Sequence, residues 1–171
     1  SNLVTMLTNG GFSEGMDMRV RTQDVAVSSS AAARYFRLSA DAGDVSINGT
    51  INASVDGGGG SVEIYAGKNL LLSDTAVISA KGTEMNPGSG QVILGSGIAS
   101  YLRSDQSDIN GEIKLDNAAI DVGDSGNIYL RTAWEQDSQG GYDLKLSMVN
   151  SQITAGKVAV EGVALYKYDQ D

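Results

Sequence analysis

The sequence predicts an all-β fold, a right-handed parallel β-helix of about seven or eight coils, and three observations carry that expectation. A short phrase keeps returning, with a glycine or small polar residue before two apolar residues that flank a polar one. The interval between its copies is uneven. Glycine is abundant while proline is nearly absent, with 22 Gly against one Pro where the usual share of Gly is roughly 7%. Glycine at that level, without a collagen triplet, fits many tight corners between short strands.

Along the chain, residues 1–34 form the less regular leading coils. Met16-Asp17-Met18-Arg19-Val20-Arg21-Thr22 and Asp24-Val25-Ala26-Val27 read as strands, and Ser28 to Ala33 as a turn or short helix. Arg34-Tyr35-Phe36-Arg37-Leu38 leads into the regular array, residues 35–171. The phrase then appears as Gly43-Asp44-Val45-Ser46-Ile47, Gly60-Ser61-Val62-Glu63-Ile64, Gly90-Gln91-Val92-Ile93-Leu94, Gly111-Glu112-Ile113-Lys114-Leu115 and Gly126-Asn127-Ile128-Tyr129-Leu130. It returns more loosely as Tyr142-Asp143-Leu144-Lys145-Leu146 and Gly156-Lys157-Val158-Ala159-Val160. A second phrase follows several of these: Thr50-Ile51-Asn52-Ala53, Val77-Ile78-Ser79-Ala80, Ala119-Ile120-Asp121-Val122 and Gln152-Ile153-Thr154-Ala155.

Period-two alternation in the first phrase turns one set of side chains inward. The expected core stack is Val45, Ile47, Val62, Ile64, Val92, Leu94, Ile113, Leu115, Ile128, Leu130, Leu144, Leu146, Val158 and Val160. Intervals between copies run from about 14 to about 30 residues, as in coils whose corners admit loops of any length. The widest holds a predicted protrusion, Thr83 to Ser89. Right-handed winding is the strongly preferred hand for parallel crossovers. An antiparallel sandwich is the competing architecture, and it is disfavoured by the scarcity of Asn-Gly or Asp-Gly hairpin turns. No linker composition divides the chain, so residues 1–171 read as one segment. Neither end looks capped, and the last residues, Val158 to Tyr166, are apolar and alternating, as in a piece of a longer solenoid or a protomer that stacks end to end.

Composition excludes several chemistries. The chain has no Cys and no His, which removes disulfides, the usual zinc sites, thiol catalysis and any imidazole base. A net charge of -9 and a pI near 4.3 argue against nucleic acid and anionic membranes as partners. No apolar run approaches the roughly 18 residues that a membrane-spanning helix needs, so no membrane insertion is expected. No cofactor is expected either.

Two stretches resemble a known family. Gly43 to Ser54 (GDVSINGTINAS) and Ile64 to Leu72 (IYAGKNLLL), with Gly126 to Thr132 and Ile153 to Tyr166 later, are similar to the filamentous-haemagglutinin-like exoproteins of bacterial two-partner secretion. The resemblance covers roughly residues 35–171. It implies a long right-handed β-helix, an extracellular or outer-cell-surface location, and a role in adhesion, aggregation or toxin delivery. It carries no catalytic motif over to this chain. The family's N-terminal secretion-domain signature is absent, so the resemblance implies an internal stretch of shaft.

Some β-helix proteins act on polysaccharides, and glycoside hydrolysis needs a pair of carboxylates. Asp41 with Asp44, Asp105 with Asp108, and Asp121 with Asp124 are the nearest in sequence, all beside glycines or serines where Asp favours turns. They read as corner residues. Asp105, Asp108 and Asn110 are candidate calcium ligands in a stretch with alternating oxygens and a glycine. Gln106 and Asn117 occupy the first and last ligand positions of the EF-hand pattern, however, and a surface turn is favoured. Asn48 and Asn52 begin formal glycosylation sequons and read as stacked corner asparagines. Trp134 and Tyr142 flank a polar loop and are candidates for a glycan contact, with anchoring of that loop as the favoured alternative.

The expected function is a structural or adhesive shaft segment and not an enzyme. A self-assembling fibre subunit is the alternative, and a polysaccharide-acting enzyme comes third. Expected partners are neighbouring coils of a longer chain or end-to-end copies, together with a glycan or protein of a host or cell surface.

Overall fold

The computed structural model describes residues 9–54, 58–73, 75–83, 88–97, 111–136 and 138–163. Every element among them is a strand, and the chain runs through three sheets in rotation. The first pass is β1 (Gly15–Val20), β2 (Val25–Val27) and β3 (Ala31–Ala32). The second is β4 (Tyr35–Ala40), β5 (Val45–Ile47) and β6 (Thr50–Asn52), and the third β7 (Ser61–Ala66), β8 (Leu70–Leu72) and β9 (Val77–Ser79). The fourth is β10 (Gln91–Gly95), β11 (Ile113–Asp116) and β12 (Ala119–Asp121). The fifth opens with β13 (Asn127–Gln136), turns back through β14 (Tyr142–Leu144), and continues as β15 (Leu146–Val149) and β16 (Gln152–Thr154). β17 (Lys157–Val163) begins a sixth.

Strands of successive passes pair in parallel. The first sheet is β1-β4-β7-β10-β13 with β17 beyond, the second β2-β5-β8-β11-β15, and the third β3-β6-β9-β12-β16. Only β13 with β14 is antiparallel among the described pairs. Six first-sheet strands at about 4.8 Å spacing give a stack roughly 24 Å deep. The leading residues, expected to be irregular, pair in full register with the second pass, Gly15 against Tyr35 through Val20 against Ala40. Within Ser28 to Ala33, the expected turn or helix is strand β3.

The expected seven or eight coils are five complete passes and the first strand of a sixth among the described residues. The difference arises because the first phrase marks two sheets. Gly60, Gly90, Gly126 and Gly156 precede strands of the first sheet, whereas Gly43 and Gly111 precede strands of the second. The second phrase always marks the third sheet. Tyr142 to Leu146 is no rung: its first three residues return along β13, and Leu146 opens β15.

Inward side chains form registered columns. One is Phe36, Val62, Val92 and Ile128, and its neighbour is Leu38, Ile64, Leu94 and Leu130, all buried. In the second sheet Val45, Leu70 and Ile113 stack, as do Ile47, Leu72 and Leu115, each fully buried. Burial of one such side chain stabilises by about 1.5–3 kcal/mol.

Three expected core positions are corrected. Leu144 stands outside the columns because the β13–β14 hairpin carries it across from Trp134, against the backbone of Gly162. Val158 and Val160 align with Ile128 and Leu130 but remain 46% and 43% exposed, since β17 pairs only with β13 among the described strands. Leu146 is partly buried against the core, in register with Ile113. At the opposite end of the described stack Met16 and Met18 are 4% and 3% exposed.

The glycine that opens the phrase has a steric cause. A Cβ on Gly60 would strike the carbonyl oxygen of Ala53, and one on Gly90 that of Ala80, where the chain turns from the third sheet into the first. Gly90→Ala is therefore expected to lose about 1–3 kcal/mol by overpacking, lowering the urea midpoint without changing the m-value. Gly15→Ala, with its nearest neighbour 3.8 Å away, is expected to change stability by less than about 0.5 kcal/mol. Equal midpoints for the two variants would contradict this corner geometry.

Candidate functional site

The corner between the first and second sheets carries a ladder of side-chain acceptors. Asp24 Oδ1 accepts from the Asp44 N–H at 2.9 Å, and Asp44 Oδ1 accepts from the Asn69 N–H at 2.9 Å and from Asn69 Nδ2 at 3.1 Å. Asn69 Oδ1 then accepts from the Glu112 N–H at 3.1 Å. Each of these residues directly precedes a second-sheet strand. A short Asp or Asn side chain at that place reaches the next pass and satisfies a backbone donor that no strand pairs.

The other corner carboxylates are also engaged. Asp41 receives the Arg19 Nε–H at 3.0 Å on both oxygens, joining the first pass to the second. That hydrogen bond holds the Asp41 carboxyl below its usual range, against slight desolvation, with the charges of Arg19 and Arg21 adding to it. Asp121 accepts from Lys81 Nζ at 2.6 Å and from the Gly123 N–H at 3.0 Å. Burial pushes the Asp121 carboxyl up, but the Lys81 hydrogen bond, the Gly123 N–H and the Lys81 charge outweigh it, and the net shift is downward. Asp41 and Asp44 are thus held in separate interactions and do not converge as an acid–base pair. Among the described residues no group of three acidic side chains gathers as a metal site. Asp105, Asp108 and Asn110 lie outside the described residues. Asn117 takes a left-handed backbone, φ 52°, and its Nδ2 donates to Asp116 at 3.1 Å. The side chain of Asn52 folds back onto the Ser54 N–H at 2.9 Å.

Trp134 and Tyr142 come together across the hairpin. Their rings stack with centroids 4.2 Å apart and planes at 22°, the diagonal contact of an antiparallel pair. One face of each ring is thereby occupied within the hairpin, while Tyr142 stays 59% exposed. Beneath it, Thr132 and Ser96 are buried and polar, and the Ser96 hydroxyl donates to Thr132 Oγ1 at 3.0 Å. The Thr132 hydroxyl lies 2.9 Å from the Lys145 carbonyl and 3.1 Å from that of Gly111. These contacts fix the point where the chain leaves the first sheet for the hairpin.

The outward face of the first sheet holds groups that the sequence reading did not single out. Asp17, Arg37 and Glu63 are successive members of one column, with Arg37 4.0 Å from Asp17 and 3.8 Å from Glu63. The Tyr65 hydroxyl donates to Glu63 at 3.2 Å, and the Arg37 guanidinium lies 5.8 Å from the Tyr65 ring centre. Burial, then the Glu63 charge and hydrogen bond, raise the Tyr65 phenol above its ordinary range, with Arg37 and Arg131 opposing. Further along, Arg131 pairs with Glu161 at 3.4 Å. A depression of about 390 Å³ opens there, lined by Tyr65, Ile93, Tyr129, Arg131, Ala159 and Glu161 among others. Outward positions were legible as the middle member of each phrase, between its two inward residues, but their neighbours depend on register, which sequence spacing did not supply.

Comparison with protein-family models, with curated proteins and with solved structures gives no match. No helix of the described chain is long and apolar enough to cross a membrane.

The corner carboxylates make stability depend on acid. For Asp41 and Asp121, whose folded-state pKa values lie below those of the unfolded chain, near 3.9 for Asp, the contribution is present above about pH 4 and is lost as pH falls through the folded values. Asp121→Asn keeps the acceptor for Gly123 and removes the charge. It is expected to flatten the fall in melting temperature below about pH 4. A fall as steep as in the parent chain would show that Asp121 titrates normally.

Proposed function

We propose that this chain is a segment of a right-handed parallel β-helix that serves as a structural or adhesive shaft in a secreted or surface-displayed bacterial exoprotein. The observation that carries the reading is the rotation through three parallel sheets, in which each strand pairs with strands one pass before and one pass after. Such a stack grows by adding passes, and its stability is approximately a sum of terms between neighbours. The right hand follows from the preference of parallel crossovers. The extracellular setting rests on the resemblance to filamentous-haemagglutinin-like proteins. Corner acids that are tied into ladders and ion pairs favour a scaffold over a hydrolase.

A second reading, a fibre subunit, is favoured by the last passes. There the inward residues Met148, Val158 and Val160 are 45%, 46% and 43% exposed, and an apolar strand edge of this kind invites pairing with another chain.

Two measurements on the purified chain test the proposal. The shaft reading expects a single monomeric species in sedimentation at increasing concentration. It also expects no release of reducing ends or unsaturated products from a panel of neutral and acidic polysaccharides. Growing polymers that Val160→Lys abolishes would replace the shaft with the fibre subunit, and steady product release would overturn both.

A further inference from the structure

The depression on the outward face of the first sheet is lined by residues of β7, β10, β13 and β17. Its shape follows from two adjacent columns of side chains. In one, Ile93, Tyr129 and Ala159 are successive members, and in the other Tyr65, Gly95, Arg131 and Glu161. Registered strands place like positions about 4.8 Å apart, so bulky side chains would normally close such a face. Here Gly95 contributes no side chain between Tyr65 and Arg131, and Ala159 contributes only a methyl beyond Tyr129. The volume of about 390 Å³ falls in the range of small-ligand sites, about 300–1,000 Å³.

The lining is specific in its chemistry. Tyr129 is 37% exposed and Tyr65 stands two passes before Arg131, so aromatic surface borders the depression at two places. The charged residues of the lining are one cation and one anion, Arg131 and Glu161, 3.4 Å apart. An amphipathic ring with apolar C–H faces and a rim of hydroxyls matches this set. Its C–H face packs on tyrosine, while neighbouring hydroxyls donate to the Glu161 carboxylate and accept from the Arg131 guanidinium. The chain's net charge of -9 disfavours a polyanion, and the balanced Arg–Glu pair gives a cation no preference. The raised Tyr65 phenol stays protonated at neutral pH and keeps its donor on Glu63.

We propose that this depression is a binding site for one ring of a neutral oligosaccharide, held by Tyr129 and Tyr65 and by the Arg131–Glu161 pair. The site depends on the registered face alone. It therefore stands whether the chain is a shaft or a fibre subunit, and its test reads ligand contact and not assembly.

Saturation-transfer NMR with cellotetraose, mannotetraose and chitotetraose as neutral probes, and a heparin tetrasaccharide as the acidic one, tests the assignment. At least one neutral probe is expected to receive saturation. Tyr129→Ala, which removes a ring that is partly exposed, and Ala159→Leu, which fills the depression, are each expected to weaken that binding about tenfold or more, equivalent to about 1.4 kcal/mol. Trp134→Ala is expected to leave it unchanged. Unaltered melting temperatures for the two site variants keep the loss attributable to the site. If either variant melts lower, shift mapping on the parent chain decides, with perturbed amides expected around Ile93, Tyr129 and Ala159. Saturation of no neutral probe, preference for the acidic probe, or loss only in Trp134→Ala would overturn the proposal.

Discussion

Parallel register between consecutive passes is the constraint on which the rest of this structure depends. A strand of two to seven residues, the length of every strand here but β13, cannot satisfy its own backbone or bury a face alone. Here each acquires both from the strand one pass away, as Val62 does between Phe36 and Val92. Holding all three sheets in register then dictates the corners. Entry into the first sheet brings Gly90 so close to the Ala80 carbonyl that no side chain fits. At entry into the second sheet, Asp24, Asp44 and Asn69 pass a hydrogen bond from each turn to the next. Surface ion pairs such as Lys81–Asp121 tie neighbouring passes together, but each is worth only about 0–1 kcal/mol. The apolar columns carry most of the stability.

Much of this was legible in the residues. Alternation in Gly60 to Ile64 gave the inward and outward sides of β7, and the second phrase located the third sheet wherever it occurred. The phrase Gly-x-Val-x-Ile, however, is written alike for two sheets, because both need a corner glycine followed by two inward residues. Counting each copy as a coil therefore overstated the number of passes. Tyr142 to Leu146 misled for a different reason. Its alternation is real, but Trp134 stacks on Tyr142 and Thr132 pins the base of the hairpin, contacts across distances in sequence that no local pattern encodes. The exposure of Val158 and Val160 is likewise a matter of what lies beyond a strand and not of the strand's own sequence.

The candidate site was less legible than the fold. Trp134 and Tyr142 stood out because they flank a polar loop, and they stack on each other. Tyr65, Tyr129 and Arg131 drew no notice as isolated outward residues. They become a site only when register sets Gly95 between Tyr65 and Arg131 and Ala159 beyond Tyr129. On a stacked sheet, recognition chemistry is written across passes, so it is read by columns and not along the chain.

The register itself can be measured directly, since the chain has no cysteine of its own. Glu63 and Ile93 are paired on adjacent strands of the outward face, with Cα atoms about 4.8 Å apart, inside the span that a disulfide bridges. Glu63 and Tyr129 lie two passes apart, about 9.6 Å, beyond that span. Under mild oxidation the double variant Glu63→Cys with Ile93→Cys is expected to form an intramolecular disulfide rapidly and nearly completely. Glu63→Cys with Tyr129→Cys is expected to remain reduced. Efficient bonding in the second pair, or none in the first, would contradict the stacked passes on which the whole account stands.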